Sequence, residues 1–432
     1  MKKKKRPGWL KLDNAAKVFP ALANRRDSRV FRFACQLKEP VDRDCLQQAA
    51  EQTLEEFPMF TNIIRHGMFW YYLEESGELP IVHEEDRVVC SRLYDKNAHH
   101  LLIDISYYKC RINLELFHAI TDGTGALMFL KTMVANYLKL RHKDELEGKE
   151  ISLGIDSTFK EKQSDSFDQY YEKKGKTGGG MSFLGEKSGS IFHFREPATP
   201  DYRQLVTEGV VSTKRILAAA KGCGTTVTVF LTAQLILAIY DAMEPKDKKK
   251  AVRIMVPVNL RSYFPSATVR NFFGLIPVTY DQKKQGDRLE DVIPAVAEIF
   301  QKELTREKLE QMIAGQVSLE KHMAARAVPL LIKDISMELS SQIAGVRQTM
   351  YLSNIGRITM PEALSGYVEL FDVFISCSGR QICMCSYGDR MVITFAGCSR
   401  PRDTERAFFR RLAAYDPDMV INTNYSGKGA EV

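Results

Sequence analysis

Residues 116–125 read Leu116-Phe117-His118-Ala119-Ile120-Thr121-Asp122-Gly123-Thr124-Gly125. In the segment Cys110–His118, Ile112, Leu114 and Leu116 share one parity, and residues of one parity line one face of a strand. His118 is next in that row, so it is expected at the strand's end, pointing inward. Asp122-Gly123 supplies a turn, where glycine tolerates unusual φ. From Gly125 to Leu140, the residues Leu127, Leu130, Met133, Val134, Tyr137 and Leu138 recur at helical spacing. A lone histidine on an apolar face is usually a satisfied core group, so periodicity alone does not make His118 catalytic.

Outward from this stretch the chain alternates between the two periods. Strands are expected at Arg29–Leu37, Ile63–Leu73, Ile81–Val89, and as a hairpin Leu101–Tyr107 and Cys110–His118 turning at Tyr108-Lys109. Cys45–Phe57 reads as a helix. Residues 160–190 are rich in Lys, Ser and Gly and read as a crossing linker. In the second half, strands are expected at Gln204–Val211, Ala251–Leu260, Leu275–Tyr280, Tyr351–Asn354, Val368–Ser376, Gln381–Tyr387 and Met391–Ala396. Helices are expected at Ser212–Lys221, Thr225–Met243, across most of Leu289–Gly345, and at Thr404–Tyr415. Strands and helices in both halves, without regular βαβ alternation, predict an α/β or α+β chain of two domains, 1–159 and 201–432, joined by 160–200.

Composition excludes several classes. The 432 residues are 44% hydrophobic and 27% charged, an ordinary globular balance. The net charge is +7, but Lys2, Lys3, Lys4, Lys5 and Arg6 supply five of those charges. The near-neutral remainder is unlike a nucleic-acid binder, whose basic residues should cover a face. The run itself reads as a solvated tail, with at most weak peripheral contact to an anionic membrane. Val227–Tyr240 is apolar but too short to span a bilayer. No apolar run follows the basic start, so an unexported, cytoplasmic protein is expected. The nine cysteines read as buried thiols. Cys377, Cys383 and Cys385 lack a paired CxxC or a nearby histidine, so no metal is expected. Gly175-Lys176-Thr177 is not a phosphate loop, because Tyr170 stands where that motif needs glycine.

His-x-x-x-Asp-Gly between a strand and a helix resembles the active-site motif of the acyltransferase superfamily that includes chloramphenicol acetyltransferase, nonribosomal peptide condensation domains, wax-ester synthases and alcohol acetyltransferases. Four further segments match in order. They are Leu54-Glu55-Glu56-Phe57-Pro58-Met59-Phe60; Gly224-Thr225-Thr226-Val227-Thr228-Val229-Phe230-Leu231; Val256-Pro257-Val258-Asn259-Leu260-Arg261 with Asn271-Phe272-Phe273-Gly274; and Ser353-Asn354-Ile355-Gly356. Together they extend over about residues 9 to 400. Two departures stand out. Phe117 replaces the first histidine of the tandem pair many members carry, and the Asp-Phe-Gly-Trp-Gly motif of the plant branch is absent. The Asn271–Gly274 segment is nearer the alcohol acetyltransferase and wax-ester branches.

The resemblance implies two chloramphenicol-acetyltransferase-like sandwich domains with the active site in a tunnel between them. It implies transfer of an acyl group, acetyl in the first instance, from a CoA thioester to an alcohol. His118 would be the general base, since a neutral imidazole can take the proton of an attacking hydroxyl. Asp122 would be structural and pair with Arg261, and Gly123 would let the backbone approach the thioester. Asn271, Ser353 and Asn354 are candidate oxyanion or substrate contacts. CoA would be a co-substrate, with no resident cofactor. Lys246, Lys248, Lys249 and Lys250, or the Lys176 region, are candidate contacts for its anionic part. The acceptor would be a small alcohol or amine, and a monomer is expected. Two alternatives stand beside this reading: a stand-alone condensation-like enzyme using a carrier-protein thioester, and a non-catalytic ligand-binding relative.

Overall fold

The computed structural model describes residues 8–154, 158–171, 190–321, 327–345, 347–400 and 402–425. Its strands in chain order are β1 (Trp9–Lys11), β2 (Val30–Leu37), β3 (Asn62–His66), β4 (Tyr71–Glu75), β5 (His83–Glu84), β6 (Ile103–Tyr108), β7 (Arg111–Phe117), β8 (Leu205–Ser212), β9 (Val252–Asn259), β10 (Phe273–Tyr280), β11 (Met350–Ile358), β12 (Val368–Ile375), β13 (Gln381–Tyr387), β14 (Arg390–Gly397) and β15 (Val420–Thr423). They form a five-stranded sheet in the order β12-β2-β7-β6-β5, a seven-stranded sheet β10-β9-β11-β13-β14-β8-β15, and a small sheet β1-β4-β3. This is the expected mixed α/β architecture built on two principal sheets.

Division by sheet differs from division by chain order. β12 lies far into the second half of the sequence, yet it pairs antiparallel with β2 in the first-half sheet, Phe371 opposite Cys35 and Val373 opposite Phe33. The apolar pattern of Val368–Ser376 marks a strand but carries no address, and a buried strand can complete either sheet. Other differences are local. Ile63–Leu73 is a hairpin rather than one strand, because the chain turns at Gly67, whose N–H bonds Trp70 O at 2.8 Å. Only His83–Glu84 of Ile81–Val89 pairs as strand, parallel to β6. The expected long helical stretch is three helices, Leu289–Glu303, Arg306–Lys321 and Leu330–Gly345. Short helices occupy Phe159–Lys162 and Ser166–Gln169 of the expected linker, while Gly175-Lys176-Thr177 lies outside the described residues.

Each principal sheet is covered by its own helices. Arg43–Glu56 packs on Gly123–Arg141 beside the five-stranded sheet, and Val227–Ala242 packs on Leu289–Glu303 and Asp403–Ala413 beside the seven-stranded one. Val227–Ala242 is buried from Val229 through Tyr240, the environment that its uniform apolarity demands. Among the described residues, no single helix is long and apolar enough to cross a membrane.

Candidate active site

His118 follows directly on β7. In the β2–β7 register, Phe31 faces Leu116 and Phe33 faces Leu114, so these side chains and His118 belong to one row. Phe31, Phe33 and His118 line a cavity of about 230 Å³ between the two principal sheets. Val373 and Ile375 of β12 complete its first wall. Val258, Asn259, Phe273, Ser353, Asn354, Ile355, Gln381 and Cys383 form the opposite one. The imidazole stacks on Phe19 at 4.4 Å and meets Phe31 edge-on at 5.0 Å. Burial among these rings holds its pKa below the ordinary 6.5, outweighing the nearby Asp122 charge and the Asn271 hydrogen bond. His118 is therefore a neutral base at neutral pH.

One hydrogen-bond chain fixes which ring nitrogen bears the proton. Asp13 Oδ2 accepts from the backbone N–H of Asn271 at 3.3 Å and from its Nδ2 at 3.2 Å. An ionised carboxylate only accepts, so the amide NH₂ must face Asp13. Asn271 Oδ1 then faces His118 Nδ1 at 3.1 Å, and Nδ1 must donate. The lone pair lies on Nε2. Asp13 is fully buried; burial raises its pKa to about 6 against the lowering effect of Arg270, so it is ionised at neutral pH. The residue is 1% exposed, and its amide bridges Asp13 and His118, holding the imidazole.

Asp122 sits at the opposite end of the turn and does three things at once. Its Oδ1 caps the helix Gly123–Arg141, accepting from the N–H groups of Thr124 and Gly125 at 3.1 Å each. Its Oδ2 accepts from Arg261 at 2.8 Å and from the Phe272 N–H at 2.8 Å. Arg261 also donates to Thr268 O at 3.1 Å and Asn259 Oδ1 at 3.2 Å. With Arg261 and Asp122 side chains only 9% and 6% exposed, the pair clasps the end of β9 and the Thr268–Phe272 loop to the histidine turn. The cap also explains why the helix starts at Gly123, two residues earlier than its apolar spacing suggests.

Gly123 does not take an unusual φ, and a Cβ there would stand 2.8 Å from Ile355 Cδ1, the movable end of a side chain at the cavity wall. Gly125 is more constrained still, since a Cβ would lie 2.0 Å from Val269 O.

Ser353 and Asn354 lie together on the cavity wall, at an irregularity where β11 shifts register against β13 between Asn354 and Gly356. Asn354 Nδ2 donates to Thr228 Oγ1 at 2.9 Å, and its Oδ1 accepts from the Gly356 N–H at 2.8 Å. Gly356 has φ +84°, a conformation suited to glycine. Asn354 therefore ties the bulge to the first turn of Val227–Ala242 with one of its two Nδ2 hydrogens. Among the described residues, Ser353 has no such side-chain tie.

The lysine run falls elsewhere. Asn354 touches the N-terminal turn of Val227–Ala242, whereas Lys246 to Lys250 follow its C-terminus, about 20 Å away at 1.5 Å per residue. Lys246 pairs with Glu244 at 2.6 Å and Lys250 with Asp247 at 2.5 Å. The run thus stands at the far end of that helix from the cavity, with two of its lysines paired to acids; Lys176 lies outside the described residues. Cys383 lines the cavity, but burial pushes its thiol up to about 12, which leaves it protonated and a poor nucleophile.

Asp13, Phe19 and Gly125 were not singled out from the sequence. Asp13 is 258 residues from Asn271 and lies in a polar stretch with no periodic pattern. Gly125 could have been noticed, as a second glycine opening an otherwise apolar helix.

Comparison with known proteins places this architecture. No family model matches the sequence, and no curated protein sequence matches it. Solved structures do match. TRI3, a trichothecene 15-O-acetyltransferase from Fusarium sporotrichioides, aligns over 96% of each chain at 12% identity, with TM-score 0.64. F. sporotrichioides TRI101, solved in complex with coenzyme A and T-2, aligns over 93% of this chain and 97% of its own at 11% identity, with TM-score 0.62. The first condensation domain of the CDA synthetase aligns over 96% and 97% at 13% identity, with TM-score 0.62. The chain has the fold of these chloramphenicol-acetyltransferase-like and condensation-domain acyltransferases along essentially its whole length.

Proposed function

We propose that this chain transfers an acyl group, acetyl in the first instance, from a CoA thioester to the hydroxyl of an apolar acceptor, with His118 as general base. The observation that carries this reading is the Asp13–Asn271–His118 chain, which leaves a neutral, unprotonated Nε2 on a ring that lines an apolar cavity. The acceptor hydroxyl gives its proton to Nε2 as its oxygen attacks the thioester carbon. Ser353 donates to the developing oxyanion. The C–S bond then breaks, and the imidazolium returns the proton to the leaving thiolate. No covalent acyl-enzyme is needed, in keeping with the protonated Cys383. Fold neighbours solved with coenzyme A support the donor.

Products should be sought by mass spectrometry, using acyl-CoA donors, an acylated carrier protein, and pooled alcohols and amines. An ester formed from acetyl-CoA is expected. Product only from the carrier would select the condensation-like reading, and none from any donor would select the non-catalytic one.

The pH profile is a second check. The base must be neutral, so kcat/KM should rise with pH and level off once His118 has lost its proton. Because burial lowers that pKa, the acid limb should lie below the ordinary histidine value of about 6.5. An acid limb at or above that value would contradict the assignment.

A further inference from the structure

We propose that the outer face of the helix Leu330–Gly345 docks on an anionic lipid surface, with the run Lys2 to Arg6 supplying electrostatic attraction. This helix departs from an ordinary surface helix, which turns its apolar stripe inward. Leu331, Ile332, Ile335 and Leu339 are 77%, 57%, 67% and 59% exposed. Their spacing places them on one stripe. Lys333 and Asp334, which lie between them in sequence, instead face the protein. Lys333 donates to Phe69 O at 3.0 Å and lies 3.6 Å over the Trp70 ring, while Asp334 accepts from Tyr71 at 2.6 Å and Lys96 at 3.2 Å.

The stripe continues onto the β3–β4 turn. Leu330 N–H bonds Met68 O at 2.9 Å, and Met68 is 74% exposed with Phe69 beside it. β1 belongs to the same small sheet and carries Trp9, 67% exposed, a residue type suited to membrane–water interfaces. The five basic residues lie between three and seven positions before Trp9 in the sequence. Glu338 is the exposed acid on the helix, and these cations outnumber it. Apolar side chains that protrude beside a basic run match the two-signal logic of peripheral membrane binding: shallow insertion plus attraction to anionic headgroups.

The location adds a consequence for the substrate. Leu330–Gly345 packs on the segment Val18–Leu22, whose Phe19 stacks on His118. The docking face thus stands one layer from the base, which suits a lipophilic alcohol drawn from the bilayer. That consequence rests on the acyltransferase reading; the docking itself does not.

The full chain should be co-sedimented with phosphatidylcholine vesicles and with phosphatidylcholine–phosphatidylserine vesicles. Binding is expected to the anionic vesicles. Ile335→Asp/Leu339→Asp and a chain with Lys2 to Arg6 changed to Gln should each bind at least about tenfold more weakly, with unchanged circular dichroism. The proposal is overturned if the unaltered chain does not bind, or if both variants bind as well as it does. It is also overturned if light scattering shows a dimer that the double variant dissociates without vesicle binding, since a second copy then covers the stripe. Sedimentation needs no turnover, so a failure here is distinct from a failure to form ester.

Discussion

Replacing His118 by alanine should lower kcat by about 10²- to 10⁴-fold, the usual contribution of a positioned general base, while the protein stays folded. The ring's stabilising contacts are few and local: Phe19, Phe31 and Phe273 around it and Asn271 at Nδ1. Its backbone N–H, bonded to Arg29 O at 2.9 Å, is untouched by the substitution. Removal leaves Asn271 Oδ1 without its donor, a cost of about 1–3 kcal/mol, well below that of unfolding a chain with two large cores. Purified variant and unaltered protein should be compared by steady-state kinetics and circular dichroism. Comparable turnover in a folded variant would remove His118 from the chemistry.

The largest effect on stability should come from Asp122→Asn. Asparagine can still cap the helix through one oxygen. Its amide nitrogen, however, replaces the acceptor that now faces both Arg261 and the Phe272 N–H at 2.8 Å. Three donors would then converge, with a buried guanidinium left unpaired. Breaking one side of a buried pair costs about 3–5 kcal/mol. Denaturant unfolding should register that loss, and activity should fall with it because the Asn271–Phe272 loop is held by the same clasp. Unchanged unfolding with lost turnover would instead give Asp122 a direct part in the reaction.

These two residues also mark how far the sequence could be read. The strand, turn and helix around His118 were legible because their signals are local: alternation in Ile112, Leu114 and Leu116, then a 3.6-residue period from Leu127. Arg261 was legible only through resemblance, since nothing nearby in the chain indicates its partner 139 residues away. Asp13 was not legible at all. Its role depends on a carboxylate, an amide and an imidazole meeting in space, and its neighbours carry no periodic pattern. Asn271 was found, but its bridge from Asp13 to His118 was not, because a motif identifies a residue without saying which way its amide turns. The destination of β12 and the outward stripe of Leu330–Gly345 fail for a related reason: apolar periodicity says that a face wants cover, not which surface lies opposite it.

The central claim is acyl transfer with His118 as base, and a single-turnover reaction with [1-¹³C]acetyl-CoA tests it most directly. An acceptor alcohol found in the product screen should be mixed with excess protein, and the label followed by mass spectrometry. The account predicts one labelled ester formed for each CoA released, with the rate reduced by about 10²-fold or more in His118→Ala. Release of CoA with all label in free acetate, or equal ester formation in a folded His118→Ala variant, would contradict it.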